Sequence, residues 1–409
     1  MTPNDSAASL AILGAQPAFS EPIHVGRPNL GNRAEFLARI ETMLDRRYLT
    51  NSGPFEREFE RRVADLLGVR HCVAMSNATV ALEISIRALE LSGEVIVPSF
   101  TFVATAHALQ WQQITPVFCD IDPHTHNIDP AKIEALITPR TTGILAVHLW
   151  GRPCPIEALQ QVADAHGLAL LFDAAHAFGC RHGSRHVGGF GRAEVLSFHA
   201  TKFINAGEGG AVTTDDSALA ERMQLMKNFG FAGYDNVISI GTNGKMNELS
   251  AALGLTHLES LDEFAAINRE HYRAYGEHLA GIPGISLLTY CEEHSPNYQY
   301  VVAEVDEGEI SLTRDALISV LQAEKVLARR YFYPGVHRME PYRTLFPNAG
   351  THLPETKAVA SRVLVLPTGT GVTSADIAQI CGTIRCAIQN KDAVSAVLSA
   401  RRIGRESQA

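Results

Sequence analysis

The chain has 409 residues, 46% apolar and 19% charged side chains, and a formal charge of −9. Its length exceeds the size at which one hydrophobic core stops growing, so we expect two domains. The negative charge, without a long run of Lys or Arg, argues against a nucleic-acid surface. No apolar run approaches the roughly 18 residues of a membrane span, and Asp5 with the lack of a basic start disfavours a signal peptide, so we expect a cytoplasmic protein.

Seven cysteines are spread over the chain without a CxxC pair. Most lie in or beside apolar segments, so we expect small buried side chains and neither a disulfide framework nor a zinc site. The segment DIDPHTHNID places Asp120, Asp122, His124 and His126 close together. Such a set is able to bind a metal, but its Pro and Asn are typical of a turn. We therefore expect a solvated loop and no metal.

The first 260 residues show a regular order of elements. Residues 1–30 have no periodic pattern and are expected to form an arm. Amphipathic helices follow from Glu35 to Arg47 and from Pro54 to Gly68. Strands are then expected at 69–75, 94–98, 115–121, 143–150, 168–173 and 194–199, with a further strand at AVTT (211–214), and helices at 79–91, 101–112, 129–137 and 154–166. This alternation predicts a large domain over 31–260, with a mostly parallel sheet covered on both faces.

The alternation weakens after about residue 261. One long helix is expected over 247–280, followed by short strands at 285–289 and 299–305 and helices at 312–323, 356–362 and 374–390. We interpret residues 261–409 as a smaller C-terminal domain that closes over the site.

Ligands of parallel sheets bind outside the carboxyl ends of the strands, so the residues there are candidates for a site. The strand at 69–75 runs into Ser76-Asn77-Ala78-Thr79, where a helix begins. Free N–H groups at a helix N-terminus bind phosphate, although these residues also suit an ordinary N-cap. Phe102 follows the next strand, where it either stacks on a planar ring or packs in the core.

An acid and a lysine follow at later strand ends. Asp173 closes the apolar strand LALLFD, and either caps the next helix or faces the nitrogen of a heteroaromatic cofactor, since a buried carboxylate is costly without such a partner. Lys202 lies in SFHATKFINAGEGG between two strands, where burial lowers the pKa of an amine and lets it attack a carbonyl. Phosphate site, aromatic, acid and lysine together match the groups that bind pyridoxal phosphate (PLP).

Six segments strengthen this interpretation: GPFEREFE, SNATVAL, PSFTFVAT, FDAAHAFG, SFHATKFINAGEGGAV and GTNGKMNELSAALG. From about Asn51 to about Gly369 the sequence resembles the DegT/DnrJ/EryC1/StrS group of fold-type-I aminotransferases, which aminate keto-sugars carried on nucleotides. The resemblance implies an α/β fold, with a mostly parallel seven-stranded sheet between helices in the large domain and a smaller α/β C-terminal domain.

The resemblance also implies residue roles. Lys202 would form the Schiff base with PLP, Asp173 would partner the pyridine nitrogen, and His176 would lie beside the ring oxygen. The remaining implied cofactor contacts are Phe102 on the ring, Ala78, Thr79 and Ser197 at the phosphate, and Asn243 with Lys245 from the second subunit of a homodimer. Dehydratase relatives carry histidine in place of the lysine, so Lys202 favours transamination.

Residues 329–343, RRYFYPGVHRMEPYR, resemble the border of the family's active site, with Tyr331, Tyr333 and His337 as substrate contacts. They equally suit a packed aromatic cluster. The segment is similar to members that act at C4 of dTDP-4-keto-6-deoxyglucose and produce a 4-amino-4,6-dideoxy sugar, with glutamate as the donor that the family implies. C3 amination of a 3-keto sugar and amination of an aminocyclitol ketone are alternatives. A PLP-bound regulatory protein without catalysis is another, against which the intact lysine, acid and histidine argue.

Overall fold

The computed structural model describes residues 10–406, with the backbone alone for residues 401–406. The outer ends of the expected arm and C-terminal domain, residues 1–9 and 407–409, lie outside the described residues. None of the helices in residues 10–406 is both long and apolar enough to span a bilayer.

The regular elements are as follows. The strands are β1 (Ile23–His24), β2 (His71–Met75), β3 (Glu94–Pro98), β4 (Thr115–Cys119), β5 (Thr141–Val147), β6 (Ala169–Asp173), β7 (Arg181–His182), β8 (Arg185–His186), β9 (Ala193–Ser197), β10 (Gly210–Thr214), β11 (Ile285–Leu287), β12 (Val301–Val305), β13 (Val326–Leu327) and β14 (Val363–Leu366). The α-helices are α1 (Arg33–Arg46), α2 (Pro54–Leu67), α3 (Ala78–Ala88), α4 (Ala104–Gln110), α5 (Ile156–His166), α6 (Ser217–Met226), α7 (Glu248–Leu258), α8 (Leu261–Leu279), α9 (Glu307–Ile310), α10 (Arg314–Ala323), α11 (Tyr342–Leu345), α12 (Pro354–Arg362), α13 (Ser374–Gln389) and α14 (Lys391–Glu406). Short 3-10 helices lie at Ala11–Leu13, Pro130–Lys132, Glu134–Leu136, Leu149–Gly151, Glu292–His294, Val336–Arg338 and Ala349–His352.

The central sheet has seven strands in the order β2-β10-β9-β6-β5-β3-β4. Strand β10 is antiparallel to both of its neighbours, whereas the pairs β9/β6, β6/β5, β5/β3 and β3/β4 are parallel. The predicted mostly parallel seven-stranded sheet is therefore confirmed. Because β10 is reversed, its first residue, Gly210, lies at the same edge of the sheet as the last residues of β2 and β9.

Both faces of this sheet are buried, and alternate residues of a strand belong to different cores. On β6, Leu171 packs with the helices of one face, whereas Leu170 and Phe172 pack on the other. The same alternation separates Val195 from Leu196 on β9. Apolar residues at successive positions are typical of strands covered by helices on both sides, which explains why these strands were recognisable as continuous apolar runs.

The C-terminal part of the chain has its own sheet and core. Strands β11, β12 and β14 form a three-stranded antiparallel sheet, and helices α8, α10 and α13 pack together around a separate cluster of buried apolar residues. The N-terminal segment joins this part, because Leu10 and Ile12 belong to the same cluster and β1 pairs with β13. We keep the boundary near residue 260 as a proposal, supported by the separate clusters.

Two expected helices differ in the structure. Residues 129–137 form two 3-10 turns instead of an α-helix. Pro139 disfavours helical geometry at Thr138 and so limits the segment on its C-terminal side. The single helix expected over 247–280 is two helices, since Ser260 has φ −103° and ψ 11° and separates α7 from α8. No Gly or Pro marks that break in the sequence.

The expectation of a solvated loop at DIDPHTHNID is wrong. Asp120 is buried and accepts hydrogen bonds from the main-chain nitrogen and the hydroxyl of Thr356, each at 2.8 Å. His126 and Asn127 are buried as well. Thr356 belongs to α12, more than two hundred residues after Asp120, so no local pattern indicated this contact. Among residues 10–406, no group of three or more His, Cys, Asp or Glu side chains is arranged to hold a metal ion.

Candidate active site

A cavity of about 520 Å³ lies at the carboxyl edge of the central sheet. It is bordered by strand ends, the first turns of α3 and α4, the loop between β9 and β10, and two segments of the C-terminal part. Its lining residues are Asn77, Ala78, Thr79, Val80, Leu82, Thr101, Phe102, Ala104, Val147, Asp173, Ala175, His176, Ser197, His199, Thr201, Lys202, Glu208, Tyr300, Tyr331 and Phe332. The strand ends singled out from the sequence therefore meet in one place.

Lys202 enters this cavity from the loop that joins β9 to β10. Its Nζ is 3.4 Å from the hydroxyl of Tyr300, a long contact for a hydrogen bond. Lys202 is half-buried, and burial lowers the pKa of its amine to about 8, with the charge of Asp173 opposing the shift only in part. About a tenth of the amine is thus neutral, and nucleophilic, at pH 7, far more than for an ordinary lysine.

Asp173 ends β6 and is 5% exposed. Its carboxylate accepts hydrogen bonds from the hydroxyl of Thr105 at 2.9 Å and from the main-chain nitrogen of Ala175 at 3.1 Å. Burial raises the pKa of Asp173, against the effect of these bonds. No cationic side chain among the described residues forms an ion pair with it, so a proton donor inside the cavity is the partner that this carboxylate lacks.

His176 is held between aromatic rings. It stacks on Trp150 with ring centroids 6.1 Å apart and on Phe332 at 5.9 Å, and tilts against Tyr300 at 4.6 Å. Its Nδ1 accepts from the main-chain nitrogen of Trp150 at 3.3 Å, which leaves the proton of the neutral ring on Nε2. Burial, and then the charge of Lys202, lower the pKa of His176 well below its ordinary value. The ring is therefore a neutral hydrogen-bond donor.

A hydrogen-bonded chain holds Trp150 from behind. Its indole Nε1 donates to Nδ1 of His126 at 3.1 Å, and Nε2 of His126 lies 2.7 Å from a carboxylate oxygen of Glu304 on β12. Glu304 also pairs with Arg362 at 2.7 Å. The segment DIDPHTHNID thus connects the aromatic rings around His176 to the C-terminal sheet.

The other end of the cavity is formed by the start of α3. Asn77 caps the helix, with its side chain accepting from the nitrogen of Val80 at 2.9 Å. Strand β10 comes very close: a Cβ on Gly210 would lie 2.4 Å from the carbonyl carbon of Asn77 and 2.5 Å from the nitrogen of Ala78. Glycine is therefore required here, and it lets the first N–H groups of α3 remain at the edge of the sheet beside Ser197.

These features fit PLP. The N-terminus of α3 presents N–H groups for a phosphate, and Asp173 offers a buried carboxylate without a cation for a protonated ring nitrogen. Phe102 is 55% exposed and lines the cavity, where its ring is free to cover a cofactor face. Lys202 supplies an amine of lowered pKa.

Comparison with known proteins identifies the family. A model of the DegT/DnrJ/EryC1/StrS aminotransferase family matches residues 31–385. The chain belongs to this family. It is a sugar aminotransferase with the fold-type-I architecture, and its cofactor is PLP.

Several relatives of this aminotransferase are known. The dTDP-4-amino-4,6-dideoxy-D-glucose transaminase of Escherichia coli is 37% identical over 360 residues, which cover 88% of this chain and 96% of the relative. The GDP-perosamine synthase of Caulobacter vibrioides is 36% identical over 374 residues, 88% and 97% of the two chains. The crystal structure of DesI in the presence of its TDP-sugar product superposes with a TM-score of 0.91 at 48% identity, over 95% of this chain and 98% of DesI.

The cavity brings together most of the residues that the sequence proposed for this aminotransferase. Ala78, Thr79, Phe102, Asp173, His176, Ser197, Lys202 and Tyr331 all line it. Their positions agree with the roles that the resemblance implies, and those roles stay predictions.

Four proposed residues lie outside the cavity of their own chain. Asn243 is exposed, and Lys245 lies with its Nζ 4.7 Å from the ring centre of Phe229. Tyr333 packs against the guanidinium groups of Arg314 and Arg330. His337 is 4% exposed, and its Nδ1 is 2.7 Å from the hydroxyl of Ser99. In this chain, His337 is part of a packed cluster, whereas Tyr333 is 42% exposed.

His337 is neutral in this cluster. Burial lowers its pKa to about 4. The ring helps to hold residues 331–336 against the end of β3, since the nitrogen of Val336 also donates to the carbonyl of Ser99 at 2.9 Å. This anchoring places Tyr331 and Phe332 beside the cavity.

Sequence reasoning missed other residues of the site. Tyr300 and Phe332 line it, Trp150 stacks behind Phe332, and Thr105 donates a hydrogen bond to Asp173. Tyr300 and Phe332 come from the C-terminal part, where strand order gives no guidance. Thr105 lies in the quoted motif PSFTFVAT, so its position in the first turn after a strand end was an available signal.

Proposed function

We propose that this aminotransferase acts on C4 of dTDP-4-keto-6-deoxyglucose and forms the 4-amino-4,6-dideoxy sugar, with glutamate as the amino donor. The observation that supports this most strongly is the similarity to DesI, solved with its TDP-sugar product, over 95% of the chain at 48% identity. The name of the Escherichia coli relative describes the same class of product.

PLP, when bound, supplies an electron sink for the carbanion that transamination requires. The side chains of the cavity supply the rest. Nζ of Lys202 takes a proton from the amino donor and returns one to the acceptor, because its lowered pKa lets it hold either state near neutral pH. The carboxylate of Asp173 stabilises a protonated ring nitrogen.

The remaining groups bind and orient. The N–H groups at the start of α3 and the hydroxyls of Thr79 and Ser197 bind the phosphate. Nε2 of His176 donates a hydrogen bond to the ring oxygen, a role that its neutral tautomer allows. Tyr300 and Phe332 exclude water from the amine, which maintains its lowered pKa.

Product identification tests the substrate. The enzyme is incubated with glutamate and, separately, the dTDP-linked 4-keto sugar, a dTDP-linked 3-keto sugar, a GDP-linked 4-keto sugar and an aminocyclitol ketone, and the products are analysed by mass spectrometry and NMR. We expect the 4-amino product from the dTDP-linked 4-keto sugar at the highest kcat/KM. A higher kcat/KM for another ketone would overturn the assignment. Glutamate that leaves the absorbance spectrum of the holoenzyme unchanged would favour the non-catalytic alternative.

A substitution tests the assigned acid. Asp173→Asn keeps the size of the side chain but removes the charge that holds a ring proton, so turnover should fall by about 10²-fold while the fold is retained. Turnover equal to that of the parent enzyme would refute the role of Asp173.

The active enzyme is a homodimer in this proposal. Asn243 and Lys245 do not line the cavity of their own chain, and the neighbouring segment exposes Tyr234, Ile238 and Ile240 at 100%, 59% and 73%. Exposed apolar side chains in such a run are typical of an interaction surface. Two subunits related by a two-fold axis would bury this segment and complete each cavity with the partner's copies of those two residues.

Mixing two inactive variants tests the shared site. Lys202→Ala and Asn243→Ala each remove a group that would come from a different subunit of the same site. Denaturing and refolding them together should restore roughly a quarter of the parent activity, through mixed dimers with one intact site. No recovery, with dimers seen by light scattering, would show that each subunit forms its site alone.

The cytoplasm is the proposed location. Cys72, Cys119, Cys154, Cys180, Cys291 and Cys381 are free thiols, and all of these except Cys291 are buried. Reduced thiols are the norm in that compartment.

A further inference from the structure

Two buried hydroxyls lie in line with the carboxylate of Asp173. Thr105, in the first turn of α4, is completely buried, and its Oγ1 is 2.9 Å from Oδ2 of Asp173. Oγ1 of Thr101 lies 3.0 Å behind it, and Thr101 itself lines the cavity. The three side chains form a continuous chain of hydrogen bonds that the sequence did not reveal.

The donors and acceptors of these hydrogen bonds can be arranged in only one way when Asp173 is ionised. An ionised carboxylate only accepts hydrogen bonds, so the proton of the Thr105 hydroxyl points to Asp173. Thr105 must then accept the proton of Thr101. Hydroxyls aligned in this way polarise one another, which strengthens the final bond to the charged group.

Asp173 depends on these bonds. Its other hydrogen-bond donor among the described residues is the main-chain nitrogen of Ala175, and it has no ion-pair partner there. Burial alone would favour the neutral acid. A neutral acid would lose its preference for a protonated ring nitrogen.

We propose that Thr105, supported by Thr101, is a positioning residue that keeps Asp173 ionised and aimed at the ring nitrogen of the cofactor. The proposal rests on the proposed role of Asp173. It does not depend on which sugar is aminated.

Binding of two cofactor rings tests it. Full-length protein stripped of cofactor is titrated with PLP and with an analogue in which carbon replaces the ring nitrogen. Thr105→Val keeps the shape of the side chain without the hydroxyl, and should weaken PLP binding about 10-fold, the effect of one hydrogen bond to a charged group. It should leave binding of the carbon analogue unchanged. Thr105→Ser should bind both rings like the parent protein, and Thr101→Val should show a smaller selective loss of about 2-fold.

Two further variants separate the possible outcomes. Thr213→Val changes a fully buried threonine of β10 away from the cavity and should bind both rings normally. Asp173→Asn should show at least the selective loss of Thr105→Val. If Asp173→Asn does not discriminate between the rings, the role of Asp173 itself fails, and this proposal with it.

Other results bear on Thr105 alone. If Asp173→Asn discriminates but Thr105→Val binds PLP like the parent, Thr105 has no positioning role. Equal weakening for both rings would mean that Thr105 only supports the local structure. Should Thr105→Val fail to fold, Thr105→Ala is measured in the same way and judged by the same ratio of the two affinities.

Discussion

Two lysines in this enzyme are shielded from solvent to different degrees, and they differ in what surrounds them. Lys227, just after α6, is 1% exposed and uses all three of its ammonium donors: to Glu56 at 2.9 Å, to Glu60 at 2.9 Å and to the carbonyl of Ala74 at 3.0 Å. Lys202 faces the cavity and has one long contact, to Tyr300. Lys227 therefore links the end of α6 to α2 and β2, whereas Lys202 links no secondary-structure elements.

Neighbouring carboxylates, and not burial, decide the opposite directions of the two lysine pKa shifts. Burial lowers the pKa of both amines. For Lys227 the carboxylates of Glu60 and Glu56 more than offset that effect, so its pKa is raised. For Lys202 the more distant Asp173 offsets it only in part, and the pKa falls to about 8. The lysine with a single long contact thus has the lowered pKa that suits the reactive role proposed for it, whereas the lysine with a full set of partners keeps its charge.

Removal of the reactive amine should have the largest effect. Lys202→Ala loses both the attacking group and the proton carrier, so turnover should fall at least about 10³-fold while the thermal unfolding temperature of the cofactor-free protein stays equal or rises. Product formation with glutamate and calorimetry measure the two. Lys391→Ala, at the start of α14 and outside the cavity, is the matched control and should keep both values. Turnover above a tenth of the parent value would remove Lys202 from its role.

Removal of the structural amine should act on stability. Lys227→Met leaves Glu56 and Glu60 without their cation and should lower the free energy of unfolding by about 3–5 kcal/mol, measured with urea. Turnover per folded molecule should stay within about 2-fold of the parent value, because Lys227 does not line the cavity. The triple variant with Glu56→Gln and Glu60→Gln should recover part of the stability. A triple variant no more stable than the single one would show that the ion pairs are not the cause.

The two lysines should respond oppositely to pH. In the cofactor-free protein the folded state releases the Lys202 proton at about pH 8, below the ordinary value of 10.5, so the unfolded state holds more protons between these values and stability rises with pH. As the pH rises through this window, the free energy of unfolding of the parent protein should therefore increase relative to that of Lys202→Met, by at most about 3 kcal/mol. Lys227 has a raised pKa, so its contribution is complete below 10.5 and is lost only above it. Urea unfolding between pH 7 and 10 should show that the difference in free energy of unfolding between the parent and Lys227→Met does not change with pH. A difference that changes with pH for Lys227→Met and stays constant for Lys202→Met would reverse the assignment.

The smallest effect is expected from the single partner of Lys202. Tyr300→Phe removes a hydroxyl 3.4 Å from Nζ and leaves the ring that stacks beside His176, so kcat should fall by no more than about 10-fold. The pH dependence of kcat should keep its shape, since burial and not this contact sets the pKa of Lys202. Tyr300→Leu, which also removes the ring, provides the comparison and should lower kcat further. A loss beyond about 100-fold for Tyr300→Phe would mean that the hydroxyl takes part in proton transfer.

The sequence predicted those site residues that directly follow the ends of strands. Asp173, Lys202 and the start of α3 were recognisable because parallel strands end at one edge, whatever the details of packing. Lys227 was not, since Glu56 and Glu60 are 171 and 167 residues away along the chain. These residues meet because of the way the helices pack, and no residue spacing in the sequence indicates that packing.

The same distinction explains the errors in the fold. The seven strands of the central sheet have apolar runs of their own, so their existence was predictable. Pro139 limits the segment that precedes it, and the expected helix overlooked this local rule. The loop with His126 was misjudged for the opposite reason, because its burial depends on Glu304 and Thr356 from the C-terminal part.

The loop that carries Lys202 begins and ends in the sheet at paired residues, Ser197 opposite Gly210. Just inside this pair, the nitrogen of Phe198 donates to the carbonyl of Gly209 at 2.9 Å, and its carbonyl accepts from Ala206 at 2.7 Å. The loop therefore loses its conformational entropy when the chain folds and not when a ligand arrives. Cofactor and substrate meet a loop backbone that is already folded, and their affinity is not reduced by ordering it.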